Sequence, residues 1–345
     1  MTPRFRKFCS RLLPELLALA LLVPLLTACR SGQAEKPNLR IGVALYTAED
    51  TFISTISRDM EKLALDRERS EGVKITLSVA DGRSNQTTQL DQIDCLLSRN
   101  CDVLCVNIVD RTAAAVIIDK AEEAGVPLIF FNRQPVAEDI RRWDRVYYVG
   151  ADAEESGRLQ GAIVRDTWQS EPERWDRDGN GVLQYVMLEG EPGHQDALLR
   201  SEYATRPLIE AGLDVEKLAS DTANWNRGQA MAKTTAWLKR FGSEIEVIFA
   251  NNDDMALGAI DACEAEHLKD PPMIVGVDGT EAALEAVAEG KLEGTVLNDA
   301  SGIARAMMDI SLALCRREDV SGRVPLVDGH YVWLPYQKIT AENLP

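Results

Sequence analysis

Several signatures of catalysis and nucleic-acid binding are missing from this 345-residue sequence. It has no Gly-rich phosphate loop, and His194 has no serine or cysteine beside it in a nucleophile motif, which removes the commonest marks of nucleotide and acyl-transfer chemistry. Positive charge is in deficit. Lys and Arg number 38 against 55 Asp and Glu, for a net −17, a balance that disfavours nucleic acid and anionic membrane as partners and suits an uncharged ligand. The seven cysteines show no zinc-cluster spacing. No apolar run reaches the roughly 20 residues that a transmembrane helix needs.

The longest such run, residues 16–26 broken by Pro24, is informative because of its flanks. Arg4, Arg6, Lys7 and Arg11 precede it, and Leu26-Thr27-Ala28-Cys29 closes it. A cationic start, a short apolar stretch and small residues before a cleavage point form an export signal, here 1–28. Its end resembles a bacterial lipobox, which implies a diacylglycerol on Cys29. The chain would then be held by that lipid in the periplasm or at the outer face of the cell membrane, with 29–37 as a polar, flexible tether. Of the other cysteines, Cys95 and Cys101 flank a helix-to-strand turn where export would permit a disulfide, a pairing the sequence leaves open. Cys105, inside an apolar strand, reads as packing.

The body is long enough for two domains at roughly 100–200 residues each. Short apolar runs at 39–45, 74–79, 103–108 and 128–131 alternate with helical periodicity at 52–67, 89–97 and 113–124. After Tyr147-Tyr148-Val149-Gly150 the rhythm restarts, with helices at 156–167, 197–211 and 226–240 and strands at 184–188 and 247–250. Repeated strand-helix-strand units predict an α/β chain of two Rossmann-like lobes with parallel sheets, facing each other across a cleft. In such sheets ligands sit beyond the carboxyl ends of the strands.

The strand ends carry one chemical type of residue. Asp50 and Phe52 follow the first strand, and Asn107 closes 103–108. His194, Asp196 and Arg200 follow 184–188, and Asn252 follows 247–250. Asp278 ends 273–277, Asn298 follows 295–297, and Trp225 stands in a polar turn. Each polar residue alone is most simply a helix N-cap or loop group. Together they form a set that suits a sugar, with planar groups for hydroxyls that donate and accept and aromatics for apolar ring faces.

These segments, with Asp50-Thr51-Phe52, Val106-Asn107-Ile108-Val109-Asp110, Gly193-His194-Gln195-Asp196, Ala250-Asn251-Asn252-Asp253 and Gly276-Val277-Asp278, resemble the bacterial periplasmic glucose/galactose-binding proteins. The resemblance runs from about residue 39 to the C-terminus. It implies a type I periplasmic-binding-protein fold in which Asp50, Asn107, His194, Asp196, Arg200, Asn252, Asp278 and Asn298 hydrogen-bond a hexose between Phe52 and Trp225. Three hinge strands are implied near 148–152, 294–298 and 333–336. The lobes would then be 38–148 with 299–332, and 149–298 with 333–345. The implied partners are glucose or galactose, an ABC transporter permease and a chemoreceptor, with the chain a monomer. Xylose or a methyl galactoside is the alternative ligand.

A second site lies at 176–184. Asp176, Asp178 and Asn180 alternate before Gly181, as in the first half of an EF-hand calcium loop, with the Val182 carbonyl and Gln184 next. The twelfth position, usually a bidentate Glu, is Met187. The resemblance supplies Glu246 instead, completing a structural Ca2+ site. Two rival functions fit less well. A glycosidase needs two carboxyls with one raised pKa, whereas Arg200, four residues after Asp196, is expected to keep that acid ionised. A sugar-responsive repressor needs a basic DNA-binding segment, which is absent. The expected chain is a binding protein, not an enzyme.

Overall fold

The computed structural model describes residues 38–345; the leader 1–28, Cys29 and the tether to residue 37 lie outside the described residues. β1 (Asn38–Leu45) is buried from Ile41 onward, the pattern of a strand covered on both faces. α1 (Thr51–Glu71) begins where the Asp50 side chain accepts from the Ile53 N–H and ends at Gly72 with φ 65°, so both helix ends are specified by local chemistry. Its buried residues Ile53, Ile56, Met60 and Ala64 recur at helical spacing and face the first core. The lobe continues through β2 (Lys74–Asp81), α2 (Gln86–Ser98), β3 (Val103–Val106), α3 (Ala114–Ala124), β4 (Leu128–Phe131), α4 (Ala137–Ile140) and β5 (Val146–Gly150).

The second lobe repeats this plan. It holds α5 (Ala153–Ser170), α6 (Pro172–Trp175), β6 (Val182–Glu189), α7 (Gln195–Tyr203), α8 (Arg206–Glu210) and β7 (Asp214–Thr222). α9 (Arg227–Phe241), β8 (Val247–Ala250), α10 (Asp253–Ala265), β9 (Met273–Val275), α11 (Glu281–Ala288) and β10 (Gly294–Leu297) follow. The chain then returns to the first lobe for α12 (Ala300–Arg316) and β11 (Tyr331–Trp333), and ends in the second with β12 (Gln337–Thr340). Two six-stranded sheets result, ordered β11-β5-β4-β3-β1-β2 and β12-β10-β9-β8-β6-β7. The first is parallel throughout; in the second only β12 runs antiparallel to its neighbour. This is the expected two-lobed α/β architecture, and the chain passes between sheets after Gly150, after Leu297 and after Trp333.

Local departures from the sequence reading have physical causes. The helix expected over 197–211 is two, α7 and α8, because Pro207 sits in the first turn of the second, where its missing N–H is harmless. β7 escaped notice because it is a charged edge strand, largely exposed, the usual defence against edge-to-edge pairing. Cys95 is exposed, Cys101 is buried, and both are free thiols, so no disulfide joins them. Cys105 is fully buried, and burial raises its thiol pKa, as packing rather than chemistry requires. Among the described residues no helix is long and apolar enough to cross a membrane.

Candidate binding site between the two lobes

The carboxyl ends of both sheets converge on one narrow space, lined from the first lobe by Asp50, Phe52 and Asn132 and from the second by His194, Asp196, Arg200, Trp225, Asn252 and Asp278. Several of these residues also start helices. Asp50, His194 and Asn252 are the N-caps of α1, α7 and α10, so the helix-capping explanation and the site explanation hold for the same side chains. Capping fixes the rotamer and leaves the remaining polar atoms for other partners. Asp50 Oδ1 accepts from Ile53 N at 2.9 Å while Oδ2 accepts from the Tyr46 hydroxyl at 2.5 Å.

Arg200 is the centre of the second-lobe wall and only 3% exposed. It donates to the Asn251 carbonyl at 2.7 Å and to the Tyr336 hydroxyl at 3.2 Å. It stands 3.6 Å from Asp196 and 3.8 Å from Asp278. Both contacts are too long for a bidentate pair, so these carboxylates keep acceptor capacity toward the cleft. The expectation that Arg200 would hold Asp196 firmly ionised needs correcting. Burial is the largest influence on Asp196 and raises its pKa, with Arg200 opposing without offsetting it. Asp278 is also raised by burial, against Arg200. Its backbone has φ 124°, a conformation costly for a non-glycine residue and concentrated at functional sites.

His194 is held neutral, its pKa lowered first by burial and then by Arg133, Arg200 and Arg111. Its Nδ1 accepts from Asp196 N at 3.1 Å, so the ring proton belongs on Nε2, which becomes a donor. Trp225 packs edge-to-face on His194 with centroids 5.0 Å apart. Both Asn224 and Trp225 adopt positive φ, and Gly190 supports the ring so closely that a Cβ there would stand 2.1 Å from it.

The structure separates the ten sequence-derived residues into eight on or beside this space and two set apart. Asn107 is fully buried, and its amide donates to Phe131 O and Asn132 Oδ1, each at 3.1 Å, so Asn132 stands in front of it. Its Oδ1 has no partner. Asn298, with Oδ1 also unpartnered, lines a neighbouring cavity that reaches Asp278 and Phe52. Tyr46, Asn132, Arg133 and Tyr336 were missed. Asn132 and Arg133 follow β4 just as Asp50 follows β1, so the strand-end rule could have found them. Arg133 lies 3.7 Å from the Tyr46 ring centroid and reaches across the cleft to Glu191 at 2.7 Å. Thr51 makes a second cross-cleft bond to Asp254, at 2.6 Å. The lobes are therefore drawn together, and about 30 Å3 remains in the inner space, so a ring-sized ligand can enter only when they part.

The loop at 176–181 also folds as its spacing suggests. Asp176, Asp178 and Glu246 bring carboxylate oxygens within 4.8 Å of one another. Asp176 accepts from the Asn180 and Gly181 N–H groups, each at 3.0 Å, and Gly181 has φ 77°. Glu246 is buried and receives the Arg177 and Gln184 N–H groups, each at 2.8 Å. Burial raises its pKa, and Asp176 and Asp178 add to the rise. Gln184 Oε1 is buried with no partner. Three converging acids, an unsatisfied amide oxygen and an all-oxygen donor set fit a hard cation such as calcium. Met187, the expected gap at the twelfth position, is buried in the hydrophobic core of the second lobe.

A family model for the periplasmic binding protein domain matches residues 41–319. The D-galactose/methyl-galactoside binding periplasmic protein MglB of Haemophilus influenzae is 38% identical over 88% of this chain and 90% of its own length. A xylitol-binding protein of Mycolicibacterium smegmatis is 30% identical over 86% of this chain and 78% of its own. An ABC transporter solute binding protein from Bacillus halodurans, solved with bound myo-inositol, superposes with a TM-score of 0.73 at 30% identity. That match covers 90% of this chain and 98% of that one. With this fold, this cleft and these relatives, the chain belongs to the periplasmic binding protein family, in its type I architecture.

Proposed function

We propose that this chain is an exported receptor for a monosaccharide, D-galactose or D-glucose, which it delivers to the permease of an ABC importer and presents to a chemoreceptor. It works as a lipid-anchored monomer and catalyses no reaction. The observation that carries the reading is the composition of the cleft. Phe52 comes from one lobe and Trp225 from the other, with three carboxylates, Arg200, the Asn252 amide and neutral His194 around them. Apolar faces flanked by two-sided polar groups match a ring whose faces are C–H and whose rim is hydroxyl. Because the ligand touches both lobes it binds the closed form better, and closure shifts by that differential affinity.

The galactose-binding name of the relative from Haemophilus influenzae supports a hexose. The xylitol-binding name of the relative from Mycolicibacterium smegmatis supports a second reading, another monosaccharide such as xylose or a methyl galactoside, or a polyol. The proposal extends to Ca2+ held by Asp176, Asp178, Asn180, the Val182 carbonyl, Gln184 and Glu246. It extends also to a diacylglycerol on Cys29, which would tie the receptor to the membrane. Isothermal titration against galactose, glucose, methyl galactoside, xylose, xylitol and myo-inositol, with and without a calcium chelator, tests the reading. Tightest binding of a hexose is expected. A panel in which no sugar binds, or any turnover of the sugar, would sink it.

A further inference from the structure

Asp253 is a buried acid that the proposed hexose contacts do not use. It is the first residue of α10, next to the N-cap Asn252, and it is fully buried. An acid at that position ordinarily serves the N–H groups of its own helix. Asp253 instead bonds to two other segments. Its Oδ1 accepts from the Thr295 hydroxyl of β10 at 2.6 Å, and its Oδ2 accepts from the Thr280 N–H at 2.7 Å. The same Thr295 hydroxyl oxygen accepts from the Gly279 N–H at 3.3 Å. Gly276 leaves room for this arrangement, since a Cβ there would stand 2.3 Å from Asp253 Oδ1.

These bonds hold the turn that carries Asp278. Positive φ occurs there twice running, 124° at Asp278 and 69° at Gly279, and such a conformation at a non-glycine residue persists only where the surroundings over-determine it. From β10 the backbone does part of this: Asp278 N–H donates to Val296 O at 2.9 Å, and Asn298 N–H donates to Asp278 O at 3.1 Å. The next two N–H groups, of Gly279 and Thr280, are held through Thr295 and by Asp253. Burying a carboxylate is expensive, and the charge of Asp253 also raises the pKa of Asp278. An apolar residue would serve better if the position had only to be filled.

Building on the hexose reading, we propose that Asp253 is a positioning residue of the site: it fixes the turn 278–280 so that the Asp278 carboxylate meets particular hydroxyls of the ring, and it thereby sets selectivity at those hydroxyls without touching the sugar. It acts through its two bonds rather than its charge. Asn therefore serves in its place, because its amide can accept from the Thr280 N–H and donate to the Thr295 hydroxyl oxygen.

The test uses the full-length receptor, the hexose that binds tightest in titration, and the monodeoxy analogues of that hexose. A missing hydroxyl leaves its buried partner unpaired, so the receptor discriminates against each analogue. Asp278→Ala identifies the hydroxyls that Asp278 meets, as those whose removal then costs nothing. Asp253→Ala should reduce discrimination at those hydroxyls roughly tenfold and leave it within about twofold at the others, and Asp253→Asn should restore most of it. Thr295→Val, which cuts the tie to Gly279, should reduce the same discrimination by roughly fivefold, and Thr295→Ser should keep it. Should Asp253→Ala fail to fold in a melting assay, the two Thr295 variants decide the matter. Parallel loss at every hydroxyl, unchanged discrimination in Thr295→Val, or no recovery in Asp253→Asn would overturn the inference alone. Failure of every hexose to bind the wild type, or discrimination that Asp278→Ala leaves unmoved, would overturn the cleft assignment and this inference together.

Discussion

Gly190→Ala tests the architecture of the cleft at one atom. The new Cβ would stand 2.1 Å from Cη2 and 2.2 Å from Cζ2 of Trp225. To reach an ordinary contact of about 3.4 Å the ring or the backbone must shift by roughly 1.3 Å, the difference between the two distances. The backbone is poorly placed to yield, since the Gly190 N–H is held by the buried Asn251 Oδ1 at 3.0 Å. The ring therefore moves, and its edge-to-face contact with His194 goes with it. Overpacking of this kind costs about 1–3 kcal/mol, and a misplaced stacking face should weaken hexose binding at least tenfold. Titration calorimetry with thermal unfolding measures both effects. The double variant Gly190→Ala with Trp225→Ala separates causes: without the ring, the added methyl should cost almost nothing further, a coupling a thermodynamic cycle detects. Wild-type affinity and melting temperature in Gly190→Ala, or full additivity in the cycle, would refute the account.

Other expectations follow from the same geometry. Asp278→Ala removes a buried acceptor beside Arg200 and should weaken the hexose at least tenfold in titration. Calcium at 100 times its Kd should stabilise the protein by about 2.7 kcal/mol, and Glu246→Gln should abolish most of that gain in a melting assay run with and without chelator. Burial pushes the Asp253 carboxyl up to about 7, although Thr295 and the Thr280 N–H hydrogen-bond it. The unfolded chain releases that proton near pH 4 and the folded one only near 7, so this group's contribution to stability falls as pH rises from about 4 to about 7 and then levels. Asp253→Asn should flatten that slope in denaturant titrations across the window.

What the sequence reveals of this molecule is what local chemistry determines. Strands buried on both faces must be continuous apolar runs, so β1, β3, β4 and β8 stand out. Groups that cap helices after such strands stand out as well: Asp50 after β1, His194 after β6 and Asn252 after β8. β7 is charged at the exposed edge of its sheet and has no run to see. Tyr336 joins Arg200 only because the last crossing carries it there, across 136 positions of chain. That Asn132 stands in front of Asn107 is likewise a matter of which side chain the backbone presents, since both follow buried strands and only the φ of 59° at Asn132 distinguishes its turn. The calcium-type loop was legible because its ligands alternate within one short segment; Glu246 lies 62 positions beyond Gln184 and came only from the family resemblance.

The order in which the chain visits its two sheets also governs how it can be made. α12 packs against α1 and β11 pairs with β5, so the first lobe lacks a covering helix and an edge strand until residue 333 has emerged. Contacts of that sequence separation form late and slowly. The first lobe therefore cannot complete its sheet or its helical cover until nearly the whole of the described chain is present.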